Sequence, residues 1–359
     1  MTKTCKKCLL TTKIEGVTLD THGVCNYCRE WETRGKEDPK LAREIALRQQ
    51  DLERTLRNLS SEEGEYDCIL SFSGGKDSCY LLYKLVNDYK LRVLAYTSDF
   101  DIPANTWDNI RRTLKHLKVD HHVATPSKEI YRRFIRYLLC NQDKRGAVYT
   151  VCYFWLDIRE GDILRLAMEK NIPLIITGYS PGQPDPNRML YEMPQERIRE
   201  DWTPHELFDN GLFDESERSL FWNPHIYGKD AKFPRMIAPY HAWDYDQEDV
   251  MEKVVELGLA KNRWYVNPIL SNFTLNMLLI YSDLKNLGYN PYKPEFAQLV
   301  REGKARRFTW LFLFFLWDFM ALNKVLLGRY VTSSLKWLDL QPEQLSIREK
   351  ETPQTAKII

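Results

Sequence analysis

The densest run of chemistry-bearing residues in this chain is Ser73-Gly74-Gly75-Lys76-Asp77-Ser78. An apolar stretch, Cys68-Ile69-Leu70, leads into it with Ser71 at its end, and Cys79 to Val86 follows with apolar residues at helical spacing. A strand, a short Ser/Gly loop and a helix start together build an anion hole. Glycines let backbone N–H groups approach a ligand closely, and the helix N-terminus adds partial positive charge. Ser73 and Ser78 offer hydroxyl donors, and Lys76 supplies a full charge. The expected ligand is a phosphate chain. The order of residues excludes the Walker A loop, which places four residues between its first Gly and Gly-Lys-Ser/Thr.

A second set of residues points to a metal. Cys5-Lys6-Lys7-Cys8 and Cys25-Asn26-Tyr27-Cys28 are two Cys-x-x-Cys knuckles sixteen residues apart. That spacing suits a tetrahedral site with four thiolate ligands, and Zn²⁺ is the expected ion, with an iron–sulfur cluster as the alternative. A closed Cys₄ site has no open coordination position, so its role is folding. His22 is expected at the surface. Eight cysteines without an apolar leader favour thiols and ligands over disulfides, and a cytoplasmic setting.

The order Ser-Gly-Gly-Lys-Asp-Ser resembles the PP-loop of the ATP pyrophosphatases, also called adenine nucleotide alpha hydrolases. That resemblance implies an α/β fold of the HUP type that binds ATP and Mg²⁺, in which an acceptor oxygen attacks the α-phosphorus and pyrophosphate leaves. The knuckle run through Gly23-Val24-Cys25-Asn26-Tyr27-Cys28 narrows the likeness. It resembles the N-terminus of N-acetyl sugar amidotransferases of surface-polysaccharide biosynthesis. Pro173 to Gly178, Ile237 to Asp246 and Asn286 to Pro291 extend it, so the resemblance covers about residues 5–305, with a poorly matched insert at 180–234.

The elements that must position these groups alternate along the chain. Strands are expected at 67–72, 91–97, 120–124, 173–178 and 235–240, with helices at 77–88, 105–117, 127–139, 153–170 and 246–258. Such alternation predicts a parallel five-stranded sheet with helices on both faces, and ligands beyond the strands' C-terminal ends. Ser71, Ser73 to Ser78, Ser98 and Gly178 all fall at such ends, and these are the expected nucleotide contacts. Ser73, Lys76, Asp77 and Ser78 are the expected catalytic group. Asp77 either orients Mg²⁺ or caps the following helix. Asp99 and Asp101 are the favoured Mg²⁺ ligands, and Asp185 is a weaker third.

Four segments follow from this reading: a Cys₄ segment at 1–36, a bridging amphipathic helix within 37–64, the PP-loop domain at 65–260, and a helical region at 261–359. Leu41, Ile45, Leu52, Leu56 and Leu59 mark the inner face of the bridging helix. The insert at 180–234, rich in Pro, Asn, Asp and aromatics, reads as a lid or a docking surface. The apolar run Phe308 to Trp317 is a buried helix, an oligomer interface or a membrane-surface contact.

Lys+Arg 51 against Asp+Glu 50 gives a net charge of +1, which supplies no general field for nucleic acid. The expected acceptor is a sugar or another small molecule. The displacing nucleophile is ammonia or sulfur. A glutaminase nucleophile is not evident, since residue 2 is Thr, so ammonia is expected from a partner glutaminase. Sulfur would need a reactive Cys. Cys152 and Cys140 lie in the relevant region without forming a Cys-x-x-Cys, and Cys152 in the run Val151 to Trp155 suits packing.

Overall fold

A computed structural model describes residues 3–34, 39–59, 64–181, 183 and 189–348. The five expected strands form one sheet: β1 (Cys68–Ser71), β2 (Val93–Ser98), β3 (Asp120–Ala124), β4 (Leu174–Thr177) and β5 (Arg235–Ile237). All pairs are parallel and the order is β3-β2-β1-β4-β5. The strand order reverses between β1 and β4. A crevice opens at such a switch point, because the chains leaving the two strands diverge to opposite sides.

The helices are α1 (Asn26–Arg34), α2 (Pro39–Leu59), α3 (Lys76–Asn87), α4 (Ala104–Leu117), α5 (Lys128–Cys140), α6 (Ala147–Glu169), α7 (Gln195–Ile198), α8 (His205–Asp209), α9 (Gln247–Glu256), α10 (Asn276–Asn286), α11 (Lys293–Arg301), α12 (Arg307–Asn323) and α13 (Arg329–Leu338). Strand residues alternate between the two faces of the sheet, so β1 divides its side chains. Cys68 and Leu70 enter a core with α2, α3, α4 and α9, whereas Ile69 enters one with α6 and the insert. The sheet is therefore covered on both faces, as buried parallel strands require.

Two expectations need correction, and a third is narrowed. In α2 only Leu52, Leu56 and Leu59 are buried, whereas Leu41 is exposed, because the N-terminal half of the helix runs past the edge of the core. The described part of the insert is not an open lid. Met189, Met193, Ile198, Trp202 and Trp222 are buried in the α6 face of the core, since short turns let its aromatics fold inward. The run at 308–317 is buried on one side only.

A third core joins the four knuckle cysteines, α5, the first turns of α6 and the C-terminal helices. One contact fixes its geometry. Asp283 of α10 accepts hydrogen bonds from the Ala147 N–H and from the Val148 N–H at 3.0 Å, and so caps α6 from another helix. Gly146 precedes them at φ +98°, where a Cβ would lie 2.3 Å from Asp283 Oδ1. Burial pushes the Asp283 carboxyl up to about 7, against the pull of its two N–H donors.

Asp283→Ala should destabilise the protein by about 1–3 kcal/mol in urea unfolding, since two buried N–H groups lose their acceptor. Because the folded pKa is raised, the native state holds a proton that the unfolded chain releases above about pH 4. The wild type should therefore lose stability relative to Asp283→Asn between pH 5 and 7.5. A wild type that gains on Asn across that window would show that the N–H donors outweigh burial.

Candidate active site

The loop after β1 turns at Gly74, whose φ is +75°. That left-handed conformation costs most residues energy, and the site also leaves no room. A Cβ on Gly74 would sit 2.5 Å from Ile110 Cγ1 and 2.9 Å from the Thr106 carbonyl oxygen on α4. Asn109 Nδ2, also on α4, donates to the Gly74 carbonyl at 3.1 Å and to the Tyr265 carbonyl at 2.8 Å. The turn is thus clamped from outside.

From this turn the chain enters α3, with Gly75 as its N-cap and no side chain capping it. The first N–H groups of α3 are left for a ligand. Ser73 Oγ and Ser78 Oγ lie 3.1 Å apart, and Ser78 Oγ donates to the Gly75 carbonyl at 3.2 Å. The reading of Asp77 as a helix cap is overturned. Its carboxylate accepts from Lys76 Nζ at 2.6 Å and from the Tyr245 hydroxyl at 2.8 Å, and Tyr240 donates to its carbonyl at 2.8 Å. Lys76 is 6% exposed, so a charged ammonium is held out of water beside the loop. Glu295 of α11 interacts with both charges, and burial pushes its carboxyl up to about 7.

A cavity of about 390 Å³ opens over the loop. Ser71, Ser73, Gly75, Lys76, Asp77, Ser78, Ser98 and Gly178 all line it, from the ends of β1, β2 and β4. Gly74 does not line it, because its part is the turn beneath. Asp99 and Asp101 are placed elsewhere. They line an adjacent cavity of about 530 Å³ with Trp107, Lys128 and Trp337, and the Asp101 carboxylate accepts from the Thr274 hydroxyl. The two cavities share Phe100 and Ile102. Asp185 lies outside the described residues.

Sequence reading missed several groups on the cavity wall. Arg159 enters from α6 and donates to the Tyr179 hydroxyl at 2.6 Å, and Asn272 enters from beyond α9. Neither belongs to a motif, and only the fold brings them to the loop. Cys152 also lines the cavity, because α6 begins at Ala147 and not at 153. Burial pushes its thiol up to about 12, so it is neutral at physiological pH. Cys68 and Cys79 are buried in the core with thiols pushed up in the same way.

The four knuckle cysteines gather away from that cavity. Their sulfurs all lie within 4.8 Å of one another, with Cys5 to Cys28 at 3.8 Å and Cys8 to Cys25 at 3.6 Å. Zinc–sulfur bonds of about 2.3 Å in a tetrahedron require sulfurs about 3.8 Å apart, so the set fits one tetrahedral ion. Backbone N–H groups of Lys7, Leu10, Cys25 and Cys28 point at the sulfurs from 3.2 to 3.5 Å. Burial pushes the Cys8 thiol up to about 11 and raises that of Cys28 further, whereas at Cys5 backbone N–H donors outweigh burial and lower it to about 7. Cys8 and Cys28 therefore need a cation beside them to ionise. Arg307, at the start of α12, donates to the Cys5 carbonyl at 2.8 Å and the Cys8 carbonyl at 3.0 Å.

No family model matches the chain. An uncharacterized protein of Methanocaldococcus jannaschii is 41% identical over 71 residues, which spans 20% of this chain and 26% of that protein. Similar solved structures include the tRNA thiolase NcsA from Methanococcus maripaludis with its 4Fe–4S cluster. It is 14% identical, with 85% of this chain and 87% of that one covered and a TM-score of 0.34. The NMN synthetase of Francisella tularensis is 13% identical over 78% of this chain and 95% of its own, with a TM-score of 0.38. The ammonia-dependent NAD synthetase of Campylobacter jejuni is 14% identical over the same shares, with a TM-score of 0.36.

Metal analysis of the purified protein should find about one equivalent of Zn²⁺, as a closed Cys₄ site demands. Cys25→Ser should lose the metal and lower the melting temperature, because Arg307 then loses its anchored partners. Stoichiometric iron with sulfide would reject the zinc assignment.

Proposed function

We propose that this protein cleaves ATP between the α and β phosphates to adenylate an acceptor oxygen, which a nitrogen nucleophile then displaces. The observation that carries this reading is the loop itself. A Ser-Gly-Gly-Lys-Asp-Ser turn, with free α3 N–H groups and a buried lysine, sits at the switch point of a five-stranded parallel sheet. Donors fixed around the β and γ phosphates favour a transition state in which charge builds on the departing pyrophosphate. The pairing of Lys76 with Asp77 holds the ammonium in place until phosphate oxygens compete for it. Asp77, freed from Lys76 and still held by Tyr245, would then be the carboxylate nearest a phosphate-bound Mg²⁺. The ion would neutralise phosphate charge there. Asp99 and Asp101 face the neighbouring cavity and are better placed to meet the acceptor.

The acceptor we favour is an N-acetyl sugar of surface-polysaccharide biosynthesis, with ammonia from a partner glutaminase. An acetamido oxygen is a poor leaving group, and adenylation turns its carbon into an electrophile. Ammonia adds to that carbon, AMP departs with the oxygen, and an acetamidine remains. The neutral Cys152 thiol suits this route, since ammonia needs no thiolate in the cavity. The second reading is sulfur transfer, and one observation favours it: Cys152 faces the same cavity as the loop.

With an N-acetyl sugar nucleotide and ammonium, the protein should yield AMP and pyrophosphate in equal amounts, and Lys76→Ala should lower turnover at least ~100-fold. Glutamine should replace ammonium only when a glutaminase is added. Release of ADP and phosphate would sink the proposal.

Cys152 separates the two readings. Under amidotransfer, Cys152→Ala should reduce turnover only a few-fold through lost packing. Complete loss of product at unchanged ATP affinity and unchanged melting temperature would transfer the assignment to sulfur chemistry.

A further inference from the structure

Helix α12 carries two apolar faces. Trp310, Phe314, Trp317 and Ala321 point inward and are buried against the α10 and α11 packing. On the other side Phe308, Phe312, Phe315, Phe319 and Leu322, followed by Leu326 just past the helix, are 81, 61, 65, 49, 50 and 75% exposed. Inside the helix their steps of 4, 3, 4 and 3 residues make a heptad seam, the 3.5-residue repeat with which one helix pairs along another. No charge of α12 falls on that seam. Asp318 turns inward to Asn290 at 2.7 Å and Lys293 at 3.2 Å, and Arg307 is spent on the Cys5 and Cys8 carbonyls.

We propose that this seam pairs antiparallel with the same seam of a second copy, so that the protein is a two-fold dimer in solution. Within the helix the steps from Phe312 to Leu322 are 3, 4 and 3, which read the same in both directions, as a two-fold interface demands. Phe312 then meets the partner's Leu322, and Phe315 meets the partner's Phe319. Arg306, exposed at the N-cap of α12, reaches the partner's helix C-terminus, where the unpaired carbonyls carry partial negative charge. The seam offers roughly 700 Å² per copy, close to the ~800 Å² per partner of a stable interface.

A lipid surface fits less well. By length and composition alone, Arg307–Leu338 is long and apolar enough to cross a membrane. Lys324 and Leu326, at φ of 58° and 51°, break that run. The straight part is 17 residues. That makes about 26 Å, short of a hydrocarbon core of about 30 Å. Of the basic residues before it, three are engaged within the chain and Arg306 is exposed: Arg301 lies over the Tyr27 ring, Lys304 pairs with Asp244 and Glu302, and Arg307 with the knuckle carbonyls.

Sedimentation of the full chain should show a dimer, and Phe315→Asp should raise its dissociation constant by about 100-fold or more while the far-ultraviolet circular dichroism is unchanged. As an independent readout, Phe315→Cys mixed with Phe319→Cys should give a thiol-crosslinked dimer, whereas neither variant alone exceeds the wild-type background. A monomer at all concentrations would overturn the proposal. So would a dimer insensitive to Phe315→Asp, or crosslinking by Phe315→Cys alone, which signals parallel pairing. Flotation of the protein with anionic vesicles, abolished by Phe315→Asp, would overturn it in favour of a lipid surface.

Discussion

The candidate site depends on one steric constraint, the left-handed turn of Gly74 pressed against α4. A side chain at this position would displace Ile110 and the Thr106 carbonyl, and with them the helix that holds Asn109. The turn aims the first N–H groups of α3 into the cavity while Thr97, on β2, donates to the Phe72 carbonyl at 2.6 Å and ties the loop to the sheet. Every other loop contribution, from the paired serines to the buried lysine, takes its direction from this reversal. It explains why a glycine that never touches the cavity belongs to the site as firmly as those that do.

The charges above the turn are balanced by neighbours distant in sequence. A buried ammonium alone would cost several kcal/mol of lost hydration, and Asp77 offsets that cost only because Tyr245 and Tyr240 hold it in register. Both tyrosines come from the segment after β5, and Glu295 comes from α11. The loop therefore has its observed shape only when the sheet's last strand and the C-terminal helices are in place. Conversely, an anion that took Lys76 would leave Asp77 with the Tyr245 hydroxyl and in need of another cation.

The Cys₄ unit stands in a similar relation to the C-terminal helices. It docks on them through a shared core and through Arg307, whose two hydrogen bonds to the knuckle carbonyls also set where α12 begins. A segment at the start of the chain thus fixes a helix near its end. Asp283 extends the coupling to the cavity, since the helix that it caps carries Cys152 and Arg159.

From the sequence alone came the strands, the alternation that makes a parallel sheet, the Ser-Gly-Gly-Lys-Asp-Ser loop at a strand end and the grouping of the four knuckle cysteines. Each is a local pattern, since apolar periodicity and fixed short spacing are properties of neighbouring residues. The insert was read as a lid or a docking surface because an aromatic, proline-rich stretch has no period that distinguishes an open loop from a packed one. The exposed N-terminal half of α2 was missed because an amphipathic pattern shows which side faces a core, not where that core ends. Asp99 and Asp101 sit at a strand end as expected, yet the positive φ of Asp101 and its bond to Thr274 carry the pair into the next cavity. Only the tertiary structure could decide that, and only it could bring Tyr245, Arg159 and Glu295 to the loop, because charge and hydrogen bonding act through space between residues far apart in the chain.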